Sequence, residues 1–303
     1  MSTHLTTPFS LGFGLEDSHV LITGGCGLIG RVVVDAFLAA GSRVSVLDLP
    51  EAINIFPISK IGNLRLYTCD ISSTSSIDAA FTEAESHFGT VESCLAIASI
   101  DLSSLPQTDS ICDSDPDVWR KIFDVNVHGT LLTAQRWLRG VKEAVKDPVK
   151  VATLRNISLT LIGSEAGTFG VRGMPAYAAG KSAVQYGLLQ SLAKDVPRIF
   201  GKARVNAVVP GTVDTSRFRE EVERYGEQWR WAESQATVGM GKAVPVEDVA
   251  RMFLVLASER FGGSVHGQCV SVNGGKMGSL MWIPGEGLGR GVDWSVVGRV
   301  EGQ

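Results

Sequence analysis

The chain has 303 residues, 44% hydrophobic and 20% charged, and 28 basic against 32 acidic side chains leave a net charge of −4. That balance suits one large soluble domain, or two small ones, with a sizeable core. No basic cluster points to a nucleic-acid partner, no apolar run reaches the roughly 18–20 residues of a membrane span, and the first 15 residues lack the pattern of a secretory leader.

In chain order, short β-rich apolar runs alternate with helical patterns. Val20–Thr23 is a strand, Ile29–Ala40 a helix stopped by Gly41, and Arg43–Leu47 a second strand. Leu64–Tyr67 is a third strand, 76–88 a helix, and Ser93–Ser99 a fourth strand. A long helical pattern covers Val118–Leu138, a fifth strand Leu154–Ile162, and a second long helix Ala176–Val196. Ala203–Val209 is strand six, Val246–Ser258 helical, and Cys269–Val272 the last strand. Seven strands with helices between them predict an α/β fold of Rossmann type, a doubly wound parallel sheet with helices on both faces. The expected division is an N-terminal extension at 1–15, a single domain at 16–275 and a glycine-rich tail at 276–303.

The odd set of five cysteines, Cys26, Cys69, Cys94, Cys112 and Cys269, shows no Cys-x-x-Cys spacing. Four lie in or beside strand-like runs and read as buried thiols in a reducing compartment, which sets a cytoplasmic expectation. Asn156-Ile157-Ser158 fits a glycosylation sequon but falls in an apolar run, which argues against its use.

The first strand runs into Thr23-Gly24-Gly25-Cys26-Gly27-Leu28-Ile29-Gly30. Glycines at a strand-to-helix turn let the backbone approach a pyrophosphate, and the helix start offers N–H groups. Asp48 ends the second strand, 18 residues past Gly30, where an acid accepts both ribose hydroxyls of an adenosine. The turn and the acid together predict dinucleotide binding. The acid repels a 2′-phosphate and Leu49-Pro50 add no cation, so NAD is favoured over NADP, although Arg31 and Arg43 are near enough in sequence to keep NADP open.

Tyr177-x-x-x-Lys181 places a phenol and an ammonium on one helix face. With the glycine turn and Ser164, 13 residues before Tyr177, the chain resembles the short-chain dehydrogenase/reductase family from about Val20 to Gly275. Asn126, Asp70-Ile71, Pro210-Gly211-Thr212-Val213-Asp214-Thr215 and Val272-Asn273-Gly274-Gly275 match further family motifs in order. The resemblance implies a catalytic set of Asn126, Ser164, Tyr177 and Lys181. It implies a cofactor site of Thr23, Gly24, Cys26, Gly27, Leu28, Ile29, Gly30, Asp48, Asp70, Ile71, Ala98, Pro210, Gly211, Val213 and Thr215, joined by Tyr177 and Lys181. Lys181, together with the charge of the oxidised nicotinamide, is expected to lower the phenol, Ser164 to hold the substrate oxygen, and Asn126 to order a water behind Lys181.

Two departures from the family pattern stand out. Leu28 replaces the middle glycine of the compact branch, so the turn looks like that of epimerases and dehydratases, and Ala96-Ile97-Ala98-Ser99 replaces Asn-Asn-Ala-Gly. The leading expectation is interconversion of a secondary alcohol and a ketone. The alternatives are an epimerase or dehydratase without net cofactor turnover, and a dinucleotide-binding protein without catalysis. The stretch 215–242 matches the variable substrate lid. Its Phe218, Trp229 and Trp231 suit an apolar or ring-bearing small molecule, or else pack the lid. The family's dimers and tetramers imply a homo-oligomer built on the two long helices.

Overall fold

The computed structural model describes residues 10–56, 62–106, 108, 110–281 and 283. Its strands are β1 His19–Thr23, β2 Arg43–Asp48, β3 Leu64–Thr68, β4 Ser93–Ala96, β5 Ser158–Ile162, β6 Arg204–Pro210, β7 Val213–Asp214, β8 Val244–Pro245 and β9 Cys269–Val272. Seven of them form one sheet in the order β3-β2-β1-β4-β5-β6-β9, and every neighbouring pair is parallel. The remaining two, β7 and β8, make a separate parallel ribbon. The expected doubly wound Rossmann-type sheet is present.

Burial explains the strand sequences. In β1, β4, β5 and β6 every residue is buried, including polar ones such as Thr160 and Asn206, as in a sheet covered on both faces. Edge strand β3 is exposed at Arg65 and Thr68. One face of the sheet packs helices Thr74–Phe88, Thr130–Ala144 and Leu189–Ile199 around Phe81, Trp137 and Leu189. The other packs Leu28–Ala39 and Val246–Ala257 around Phe37 and Phe253.

The two long helical patterns exist, but neither is a uniform α-helix. The first runs Pro116–Ile122, turns π-helical over Phe123–Gly129, and continues as Thr130–Ala144. The second runs Pro175–Ser182, turns π-helical over Ala183–Leu188, and continues as Leu189–Ile199. A π-turn shifts the buried face without breaking the apolar pattern, so hydrophobic period does not reveal it.

Strand five starts four residues later than expected. Asn156 takes a left-handed backbone (φ 55°) just before it, and the residue is 3% exposed. Its amide donates to the Gly14 carbonyl at 2.7 Å and to Ser18 Oγ at 3.0 Å, and accepts from the Glu259 N–H at 2.8 Å. The sequon is therefore spent inside the fold.

Of the expected N-terminal extension, Leu15 is fully buried, Phe13 packs on the core, and the Phe13 carbonyl accepts from Ser258 Oγ. Residues 1–9 lie outside the described residues, as does the tail from 284. The start of the tail returns along the lid: Met277 and Met281 donate their N–H groups to the Thr237 and Ala236 carbonyls, each at 2.7 Å. Among the described residues, no helix is long and apolar enough to cross a membrane.

Candidate active site

The strand order reverses between β1 and β4, and open α/β sheets bind ligands in the crevice beyond such a point. The glycine turn stands there. Gly24 has φ +71°, and a Cβ on it would come 2.6 Å from Ala98 Cα at the end of β4. A Cβ on Gly30 would collide with the Gly24 carbonyl. Both positions exclude any side chain, so the turn packs tightly on the chain after β4 and on itself, and it leads directly into the helix start at Leu28, which has no side-chain cap. Leu28, in place of the family's middle glycine, is simply the first residue of that helix.

Asp48 lies across the same turn. Its carboxylate accepts the Cys26 and Leu49 N–H groups, each at 2.9 Å, which fixes it at the tip of β2. Burial, then the Asp48 charge, pushes the Cys26 thiol up to about 12, so Cys26 is inert in this turn. Arg31 folds back onto the Cys26 and Gly27 carbonyls. Arg43 starts β2, five residues or ~17 Å of strand from Asp48, and binds the Asp17 carbonyl instead. Thr23 Oγ1 accepts the Ala98 N–H at 3.3 Å. Ile71 packs against Gly129, and the Asp70 carboxylate accepts from the Ser72 N–H and hydroxyl.

Beyond the turn, β5 leads to Ser164 and the helix from Pro175 presents Tyr177 and Lys181. Tyr177 is 8% exposed and Lys181 only 2%. The Ser164 hydroxyl accepts the Ala166 N–H at 3.1 Å and is close enough to the Tyr177 phenol to pull it down. Lys181 Nζ lies 5.6 Å from the Tyr177 ring centroid and donates to the Ile162 carbonyl at 3.3 Å. Asn126 sits in the first π-turn and clamps the main chain after β4, accepting the Ile100 N–H at 2.7 Å and donating to its carbonyl at 3.1 Å. Ser164, Tyr177, Lys181 and Asn126 thus meet at the C-terminal edge of the sheet. Pro210 and Gly211 close the neighbouring side, through the Glu165 N–H to the Pro210 carbonyl and the Gly211 N–H to the Val272 carbonyl.

Burial dominates the electrostatics of the pair. Burial lowers the Lys181 ammonium to about 8, with the nearby Asp101 charge opposing that fall. The phenol of Tyr177 is pushed up, first by burial and then by Asp101, while Ser164 pulls it back.

Two neighbours escaped the sequence reading. Gln185, fully buried in the second π-turn, accepts the Ser164 N–H at 3.0 Å and donates to Thr168 Oγ1 at 3.1 Å, so it braces the serine. It lies four residues past Lys181, a spacing that could have revealed it. Asp101 follows Ile100 and carries no local signal.

The lid consists of the helices Ser216–Tyr225 and Glu227–Ser234 over the β7–β8 ribbon. Val213 pairs with Val244, and Thr215 caps the first helix by accepting the Phe218 N–H. The Phe218 and Trp229 rings pack at 5.5 Å, and Tyr225 and Trp229 at 5.7 Å. Trp231 is half-buried, with its indole N–H buried and unpartnered. These rings hold the lid together before any ligand is considered.

The family model described as enoyl-(acyl carrier protein) reductase matches residues 27–276. A 2-(S)-hydroxypropyl-CoM dehydrogenase from Xanthobacter autotrophicus is 30% identical, covering 86% of this chain and 97% of its own. A (+)-borneol dehydrogenase from Salvia officinalis is 28% identical, covering 90% of this chain and 94% of its own. The crystal structure of gox2181 aligns with a TM-score of 0.72 at 25% identity, over 87% of this chain and 96% of that one.

Proposed function

The chain belongs to the short-chain dehydrogenase/reductase family, and we propose that it is an NAD(H)-dependent oxidoreductase interconverting a secondary alcohol and a ketone. The observation that carries this reading is the convergence of Ser164, Tyr177 and Lys181 at the same sheet edge as a glycine turn whose Gly24 and Gly30 admit no Cβ. NAD, when bound, supplies hydride exchange at its nicotinamide. The chain's own residues would do the rest. Gly24 to Gly30 would receive the pyrophosphate, and Asp48 the adenosine ribose. The fixed Asp48 carboxylate and the distance of Arg43 support NAD over NADP. Lys181 would donate to the nicotinamide ribose, Ser164 to the substrate oxygen, and Tyr177 would move the proton at that oxygen. A buried, raised phenol suits the proton donor of ketone reduction; alcohol oxidation needs added positive charge to bring it down. The Asn126 side chain is spent on Ile100 and its main-chain carbonyl already accepts the Thr130 hydroxyl at 2.7 Å, so a water behind Lys181 would use the second acceptor site of that carbonyl.

We assign the substrate to apolar, ring-bearing molecules because the lid wall is aromatic, and the relative named as a borneol dehydrogenase supports that class. The reading includes residues 215–242 as lid, 276–303 as tail, a cytoplasmic setting consistent with five unpaired cysteines, and a homo-oligomer built on the helices spanning 116–144 and 175–199. Purified protein is assayed with a panel of cyclic and aromatic secondary alcohols and NAD or NADP, following the reduced nicotinamide absorbance. Turnover with NAD exceeding that with NADP, and lost in Tyr177→Phe, supports the reading; undiminished turnover in Tyr177→Phe sinks it.

A further inference from the structure

The charge environment of the Tyr177–Lys181 pair comes from a residue outside the family's catalytic set. Asp101 follows Ile100, whose N–H and carbonyl are both held by the Asn126 amide, so the Asp101 backbone is tied to the site's own framework. From the other side of the cleft the lid helix brings Arg217, two residues past the Thr215 cap, and its guanidinium donates to Asp101 Oδ2 at 3.2 Å. One ion pair thus bridges the loop after β4 and the lid, beside the buried phenol and ammonium.

We propose that Asp101 and Arg217 are positioning residues that set the charge felt by Tyr177 and Lys181, with Arg217 fixing how much of the Asp101 charge reaches them. The inference rests on the acid/base reading of Tyr177 and Lys181. Each surrounding element contributes as follows. The β4 loop contributes Asp101 and the lid helix Arg217. The Ser164 loop contributes Glu165, which is engaged by Lys276 at 3.3 Å. The helix Pro116–Ile122, packed on the one carrying Tyr177, has Asp117 and Arg120 paired with each other and Lys121 exposed, and the π-turn carrying Asn126 has Asp124 and His128, both exposed. Asp214 and Arg219, at the lid base, pair with each other at 2.8 Å. Of these charges, Asp101 is the one that acts on both members of the pair, and it does so in the same sense. An ion pair across a cleft ties the protonation of the site to the seating of the lid helix.

The signs separate this from a structural role. Removing the Asp101 charge lowers both Lys181 and Tyr177, and removing Arg217 leaves the carboxylate uncompensated and raises both. A change that only lets water in moves them oppositely, because burial lowers the ammonium and raises the phenol. The pair is exposed enough, 54% for Asp101 and 43% for Arg217, that the variants should fold.

The test is NMR titration of the full chain carrying 13Cε-lysine and 13Cζ-tyrosine, with the two signals assigned by their loss in Lys181→Met and Tyr177→Phe. It needs no substrate. Expected are a downward shift of the Lys181 midpoint in Asp101→Asn, an upward shift in Arg217→Gln, and the wild-type midpoint in Arg217→Lys. The double variant should follow Asp101→Asn, and Tyr177 should move in the same direction as Lys181 in every case. Superimposable titrations, or opposite movements of the two signals, overturn the proposal. Turnover by Tyr177→Phe would instead overturn the acid/base reading beneath it, so the two failures are distinguishable.

Discussion

Both edges of the central sheet bury polar side chains, and they treat them differently. At the N-terminal edge, Arg204 at the start of β6 is 4% exposed and donates to the Leu256, Ala257 and Gly262 carbonyls at 2.6–2.9 Å, leaving only Nε unpartnered. Glu92, just before β4, accepts the N–H groups of His19 and Arg155. His19 bonds the Gly89 carbonyl and Ser45 Oγ, each at 2.8 Å. At the C-terminal edge, Lys181 is buried more deeply than Arg204 and has one carbonyl at 3.3 Å. Satisfied polar atoms hold elements together; under-employed ones are available to a ligand. The same sheet therefore carries a structural end and a chemical end.

Substitutions at the two edges should separate activity from stability. The largest effect is expected from Tyr177→Phe, a loss of roughly 10²–10⁴-fold in turnover with an unchanged urea midpoint. A midpoint that falls along with turnover would blur the contrast between the edges. Arg204→Leu orphans the Leu256 and Ala257 carbonyls and takes one of two donors from the Gly262 carbonyl, and should cost about 2–5 kcal/mol in urea unfolding, with turnover per folded molecule retained.

His19 gives a pH signature. Burial lowers its imidazole from 6.5 to about 4, with its two hydrogen bonds satisfied in the neutral form. The unfolded chain takes up the proton first, so stability is held above pH 6.5 and falls as the pH drops through about 4, by on the order of 3 kcal/mol. Burial raises the Glu92 carboxyl and opposes this slope, so the His19 share is read as the difference between the wild type and His19→Asn, measured by urea midpoint against pH. A parallel pair of curves removes His19 from the account.

The smallest effect has the opposite sign. Lys181 is held near 8 against an ordinary 10.5, so its protonated form strains the fold at neutral pH. Lys181→Met should stabilise the chain by about 2 kcal/mol below pH 8, and the gain should vanish above pH 10.5, where both states are neutral. A destabilised variant at pH 7 would place Lys181 with the structural residues instead.

Much of the candidate site was legible because its parts are local. Val20 to Gly30 is strand, turn and helix in one short run, and Asp48 follows from the length of the next helix and strand. Tyr177 and Lys181 share a helix face by spacing alone. Boundaries were less legible: β5 starts at Ser158 because Asn156 bends the chain and spends its amide on residues near both ends of the sequence. The aromatic lid read equally as a ligand wall or as packing of the lid, and the fold sets Phe218 and Trp229 against each other.

By itself the sequence determined the parallel sheet, the glycine cradle with its acid, and the family. Each rests on apolar period or on residues a few positions apart, where chain geometry leaves little choice. Tertiary structure decided the charge on the site. Asp101 and Arg217 lie 116 residues apart, Gln185 reaches back 21 residues to the Ser164 N–H, and burial is the largest influence on the phenol. Such effects depend on which groups share a small, dry volume, and only the folded chain brings those groups together.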